Sequence, residues 1–366
     1  MVAEPKVSGV TARAYTIPTD RPEADGTLSW DKTTIIVVEV KAAGEIGLGY
    51  TYADPAAATL INGKLAGLVE GEDAMATRGL WIKLRGAVRN LGRSGIAACA
   101  ISAIDTAVWD LKAKLLALPL CRLLGAARDK VMIYGSGGFT SYDDGTLQEQ
   151  LSGWVERDGC HAVKMKIGSE PERDRARVAA ARQAIGEAAH LFVDANGAFT
   201  PRAALHYAHL FAAIADIRWM EEPVSSDDLE GLAAVRAAAP PRVEIAAGEY
   251  SFTEDDARHL LATQAVDVPQ ADITRCMGLT GFLDIAGLCA AHHRDLSGHC
   301  APALHLHAAC AAARFRHLEW FHDHVRIEHM LFDGAPIPRD GMIAPDLSRF
   351  GHGLAFKQAD AERYAA

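Results

Sequence analysis

Apolar residues fall along this chain in two different rhythms. The first section alternates. "GVTARAYTIP" and "TTIIVVEVKA" are rich in β-branched residues and read as strands, and "GEIGLGYTYA" reads as a turn and a further hairpin arm. Between the first two lies "TDRPEADGTLSWD", polar and containing Pro22 and Gly26, which reads as a mobile loop. Helical patterning follows from about Pro55 to Asn90 and from Ser94 to Leu116. The second of these is apolar almost all round, as a helix buried between domains would be.

From Val131 the rhythm changes to short apolar runs separated by helical stretches. The runs are "VMIYGSGG", "AVKMKIG", "LFVDANG", "IRWMEEP", "VEIAAGE", "VDVPQADI", "DLSGH" and "HLEWF". Eight β/α units predict a parallel (β/α) barrel, a modified TIM barrel, behind an N-terminal α+β capping domain. Thr200-Pro201 marks one helix start, and Ser225, Ser226 and Thr253 are further cap candidates. The predicted division is a capping domain over residues 1–128 and a barrel over 129–332. A Gly- and Pro-rich segment, 333–366, returns to the cap.

The ends of the barrel runs carry the chemistry. In order they present Lys164 and Lys166, Asp194, Glu221, Glu249, Asp272 and His299. Residues at the C-terminal ends of parallel barrel strands line the active-site face. Three carboxylates facing one point repel unless a cation neutralises them. An all-oxygen set favours Mg²⁺, with Mn²⁺ as a substitute. A lysine pair before the acids and a histidine after them put bases on two sides of that metal. Such equipment suits removal of a proton next to a carboxylate.

Composition narrows the field. A formal net charge of −10 argues against a nucleic-acid partner. No apolar run approaches a membrane span, and "MVAEPKVSGV" has no signal-peptide pattern. Seven cysteines without CxxC pairing read as reduced thiols in a cytoplasmic protein.

The set "AIDTAVWDLKAK…PLCRLLG", "VKMKIG", "DANG", "EEP", "GE" and the late Asp272…His299 pair resembles the enolase superfamily, in particular its mandelate racemase subgroup. The resemblance implies Mg²⁺ held by Asp194, Glu221 and Glu249, with Glu222 behind them. It implies Lys166 as the base on one substrate face, its pKa lowered by Lys164 and the metal. His299 is then the base or acid on the other face, oriented by Asp272. Glu319 matches a position that donates a hydrogen bond to the substrate carboxylate, which requires a protonated side chain at neutral pH; Asp323 in that place, or a salt bridge for Glu319, are the alternatives. Asn196 is either a substrate contact or a loop amide. Arg275 occupies the place where the muconate-lactonising subgroup carries a lysine base, and an arginine is a poor proton shuttle. The capping loops offer Asp20, Arg21, Glu23, Asp25, Trp30, Tyr50 and Tyr52. These suit a polyhydroxylated acid, with Arg21 available to a second carboxylate or to the surface.

The expected reaction is dehydration of a sugar acid to a 2-keto-3-deoxy acid. Racemisation or epimerisation and cycloisomerisation are alternatives on the same site, and a non-catalytic barrel scaffold is a distant one. Homo-oligomerisation is implied by the resemblance. Cys300 reads as a small packing residue, and His305 and His307 as structural.

Overall fold

The computed structural model describes residues 4–366. β1 (Val7–Ala24), β2 (Ser29–Ala42) and β3 (Glu45–Tyr52) form an antiparallel sheet in that order. Alternation sets the register. Val10 faces Val40 and Tyr15 faces Ile35, so apolar side chains gather on the packed faces. The helix Ile96–Leu115 lies against this sheet and is buried along most of its length. The earlier helical stretch is broken. Ala56–Val69 contains a π-helical turn at Ile61–Leu65, and a separate helix spans Thr77–Ala87.

The expected mobile loop between β1 and β2 is instead strand. The two strands run on past an irregularity between Pro18 and Glu23 and pair again at Glu23↔Trp30 and Ala24↔Ser29. This ribbon reaches over the barrel mouth and is held there. Thr140 N donates to Ala24 O, Ser141 Oγ to Pro22 O and Arg326 Nη2 to Pro18 O. Its tip packs so closely that a Cβ on Gly26 would sit 2.2 Å from Ala195 O and 2.7 Å from Ile167 O. Tertiary anchoring thus overrides the turn-like composition of the segment.

The barrel strands are β4 (Val131–Gly137), β5 (Ala162–Lys166), β6 (His190–Asp194), β7 (Ile217–Glu221), β8 (Glu244–Ala247), β9 (Val268–Ala271), β10 (Leu296–Gly298) and β11 (Phe315–Phe321). Each pairs in parallel with the next, and β11 pairs with β4 to close the ring. β12 (Phe332–Asp333) pairs with β14 (Ala355–Phe356), and β13 (Met342–Ile343) adds antiparallel to β4. Helices between the strands start on Thr200, Asp228 and Thr253, the last with a full capping box. The cap at the second of these is Asp228; Ser225 instead accepts from Asp227 N. Tyr134, Phe192 and Trp219 fill the barrel with Ala162, Ala246 and Val268, an apolar floor beneath the strand ends. After Leu331 the chain returns to the capping sheet, where Ala365 bridges Tyr15 and His352 N donates to Asp110 Oδ1.

Candidate active site

Register builds the site. Lys166 lies opposite Asp194, and Asp194 opposite Glu221, at the ends of β5, β6 and β7. Period two places Lys164 on the same inward face as Lys166, and Trp219 on the same face as Glu221. Trp219 Nε1 accordingly donates to Glu221 Oε2 at 2.9 Å. Asp194, Glu221 and Glu249 are buried, and each offers an oxygen within 4.8 Å of the others.

Two ammonium groups face these acids. Lys164 Nζ contacts Glu221, Asp194 Oδ2 at 3.2 Å and Glu319 Oε1 at 2.8 Å. Lys166 Nζ lies 2.6 Å from Asp194 Oδ2. Burial, the largest influence, and Lys164 lower the Lys166 pKa, but Asp194 at contact distance together with Glu249 and Glu319 outweighs them and the pKa is raised. A divalent ion among these carboxylates would offset that attraction, which is the lowering the resemblance implies. Two lysines do not satisfy the acids. Burial pushes the Glu221 carboxyl up to about 8 despite Lys164, and the buried Glu249 Oε2 has no lysine on it and no close hydrogen bond, only His299 Nε2 at 3.4 Å. A divalent cation among Asp194, Glu221 and Glu249 fits this arrangement on both counts, and the hard oxygen donors suit Mg²⁺.

The other side of the mouth is built differently. His299 Nδ1 lies 2.8 Å from Asp272 Oδ2. Asp272 Oδ1 accepts from Thr274 N and Oγ1, and Arg275 Nε approaches Oδ2 at 3.6 Å. Burial would raise the Asp272 pKa, but His299 and Arg275 hold it well below the usual carboxylate range. With Asp272 anionic, Nδ1 carries a proton. Burial lowers the His299 pKa, but Cys300, Glu249, Glu319 and Asp272 together hold it well above the ordinary histidine value.

Glu319 takes the salt-bridge alternative. It accepts from Ser136 Oγ at 2.6 Å and Cys300 N at 2.9 Å, and pairs with Lys164. Burial alone would raise its pKa, but Lys164, His299 and Lys166 hold it below the usual carboxylate range.

A cavity of about 450 Å³ opens above these groups, lined by Lys166, Glu249, His299 and Glu319 from the barrel and by Trp30, Lys32 and Tyr52 from the cap. Trp30 Nε1 donates to the buried Glu23, and Tyr52 stacks on His324 with ring centroids 3.5 Å apart. Asn196 reaches the cavity with a buried, unpartnered Oδ1, from a left-handed backbone at φ 45°. Arg21 does not line it. Its guanidinium bonds Thr146 Oγ1 on the exposed outside of the ribbon, because the extra strand pairing turns Trp30 inward and Arg21 out. Of the His322-Asp323-His324 run, which the sequence leaves open between substrate contact and rim, His324 lines the cavity; Lys32 and Tyr250 line it too and carry no strand-end signal. Arg275, a poor proton shuttle, braces Asp272 and also Glu249, with Nη1 3.4 Å from Glu249 Oε1. Glu222 turns away at φ 40° and accepts from Gly248 N. His305 and His307 bond the backbone at Ile273 and Cys121. All seven cysteines are buried and free. No helix among the described residues is long and apolar enough to cross a membrane.

Residues 10–125 match the mandelate racemase/muconate lactonizing enzyme N-terminal domain, and residues 146–361 match the enolase C-terminal domain-like family. The chain is 34% identical over 345 residues to an L-talarate/galactarate dehydratase of Salmonella typhimurium, covering 91% of this chain and 82% of the relative. A crystal structure of a mandelate racemase/muconate lactonizing enzyme-like protein from Rubrobacter xylanophilus superposes with a TM-score of 0.97 at 51% identity, over 99% of this chain and 100% of that one. The L-talarate dehydratase from Polaromonas sp. JS666, complexed with Mg and L-glucarate, superposes with a TM-score of 0.89 at 31% identity, over 99% and 98%.

Proposed function

The chain belongs to the mandelate racemase/muconate lactonizing enzyme family of the enolase superfamily, and from that premise we propose that it dehydrates a sugar acid to a 2-keto-3-deoxy acid. The observation that carries this reading is the cavity in which Lys166 and His299 flank the three carboxylates. Asp194, Glu221 and Glu249 would hold Mg²⁺, which would supply the positive charge that stabilises a substrate carboxylate as its α-proton leaves.

Lys166, as the free amine, takes the α-proton, and the C–H electron pair passes into an enediolate. His299 gives its Nε2 proton to the β-hydroxyl, which departs as water when the enediolate collapses. The resulting enol ketonises to the 2-keto-3-deoxy acid. Asp272 keeps the proton on Nδ1, so that Nε2 is the nitrogen that exchanges protons. Arg275 holds Asp272 in the anionic form. Racemisation or epimerisation is the second reading, favoured by the presence of proton-transfer groups on two different strands.

Proton NMR in D₂O, with Mg²⁺ and a panel of mono- and diacid sugars, tests the reading. Loss of an α-proton signal with growth of a 3-deoxy methylene is expected. Deuterium at an inverted centre with the skeleton intact would move the assignment to racemase or epimerase. No exchange with any acid would overturn it.

A further inference from the structure

Next to the all-oxygen set stands a second donor cluster of different chemistry. His299 Nε2, Cys300 Sγ and Glu319 Oε2 form a near-equilateral triangle. The sulfur is 3.4 Å from the nitrogen and 3.4 Å from the carboxylate oxygen, and nitrogen and oxygen are 3.6 Å apart. Zinc binds thiolate at about 2.3 Å, imidazole at about 2.0–2.1 Å and carboxylate at about 2.0–2.2 Å in tetrahedral array. Tetrahedral edges built from those bonds run roughly 3.3–3.6 Å. The triangle already has that size, so no side chain must travel to close on an ion.

The backbone explains why three donors from two strand ends converge. Cys300 and Ala301 both adopt left-handed conformations, at φ 51° and 39°. Consecutive non-glycine residues there are uncommon and costly. The bend aims the thiol at His299 and Glu319, while the Cys300 N–H donates to the same Glu319 oxygen. All three residues line the cavity, which gives an ion a route in and leaves room for a water as fourth ligand.

We propose that His299, Cys300 and Glu319 form an inhibitory site for a soft or borderline divalent ion, Zn²⁺ or Cd²⁺, distinct from the all-oxygen Mg²⁺ set. Binding displaces both the Cys300 thiol proton and the His299 Nε2 proton to solvent, and the ion's two positive charges balance one thiolate and one carboxylate. Donor type separates the sites: sulfur and imidazole select the softer ion, and Mg²⁺ keeps to oxygen. Occupancy takes the Nε2 lone pair and stops proton transfer through His299. That last consequence rests on the proposed function; the binding itself does not.

Cd²⁺ is titrated into the Mg²⁺-saturated protein while the ultraviolet cadmium–thiolate absorption band is followed, with dehydration assayed on the same samples. One equivalent should develop the band, excess Mg²⁺ should not reverse it, and turnover should fall in parallel. Cys300→Ser should lose the band and need at least tenfold more Cd²⁺ or Zn²⁺ for the same inhibition. If that variant does not fold, His299→Asn serves, and its band should weaken although every cysteine is retained. No band in the wild type, or an undiminished band in the variant that folds, would overturn the site. A band that responds as predicted in protein without dehydratase activity would uphold the site and count against the proposed function instead.

Discussion

The barrel rim and the ribbon above it are two walls of one cavity, made on opposite principles. The lysines, carboxylates and histidine of the rim are buried, and most are tied to two or three partners. Lys164 alone touches Asp194, Glu221 and Glu319. The ribbon wall is half-exposed and tied mainly within itself, with Trp30 fixed by Glu23 and Asp25 Oδ1 accepting from Thr27 and Leu28. Buried charge needs fixed partners because an unpaired one is costly to desolvate. An exposed wall has no such requirement. On the proposed function, chemistry belongs to the rim, and substrate selection to the ribbon, where side chains can change at little cost to stability.

The strongest way to break that division is to remove the lysine. Lys166→Ala should lower turnover by roughly 10²–10⁴-fold or more, the usual range for a positioned base, with KM for the acid changed far less in steady-state kinetics. Asp272→Asn should follow, with a loss on the order of 10²–10⁴-fold and a shifted basic limb in the kcat–pH profile, because His299 loses the group that fixes its tautomer. An unshifted profile would make Asp272 merely structural.

The joint between the two walls is sharpened by Glu328. It is fully buried, accepts from Tyr50 Oη on the capping sheet and Ala303 N on the barrel side, and burial pushes its pKa up to about 8 from 4.5. The folded chain thus keeps a proton that the unfolded chain releases as pH rises above 4.5. This group's contribution to stability is intact below that pH, declines up to about 8 and is then constant. Glu328→Gln imitates the protonated form. It should match the wild type in urea unfolding near pH 4.5 and exceed it near pH 8, by up to a few kcal/mol. Equal differences at both pH values would contradict the assignment.

The ribbon variants should do less. Gly26→Ala must push the tip off Ala195 O and Ile167 O, and should raise KM about tenfold while kcat changes less, a cost of about 1.4 kcal/mol in binding. Arg21→Ala should change neither constant by more than about twofold, since an exposed contact to Thr146 contributes little. A large KM effect from Arg21→Ala would return that residue to the cavity.

The same division governs what the amino-acid sequence reveals. Barrel strands are short apolar runs bounded by polar ends, so Asp194, Glu221 and Glu249 are legible by position alone, and Asp272 and His299 follow one strand later each. The ribbon has no such grammar. Pro22, Gly26 and several charges make "TDRPEADGTLSWD" look like loop, and only contacts from Thr140, Ser141 and Arg326 keep it in strand register. Without the register, composition does not show the inward face, so Arg21 looks as eligible as Trp30 and Lys32 carries no signal. The ionisation of Glu319 was hidden for a related reason. It depends on Ser136 on the neighbouring β4 and Lys164 on β5, contacts that only the closed ring brings together.

The central claim is a division of labour between Lys166 and His299, and α-proton exchange in D₂O followed by NMR on the Mg²⁺-loaded variants tests it most directly. His299→Asn should still exchange the α-proton of a substrate acid while forming no 3-deoxy product, and Lys166→Ala should do neither. Exchange surviving in Lys166→Ala, or dehydration surviving in His299→Asn, would contradict it.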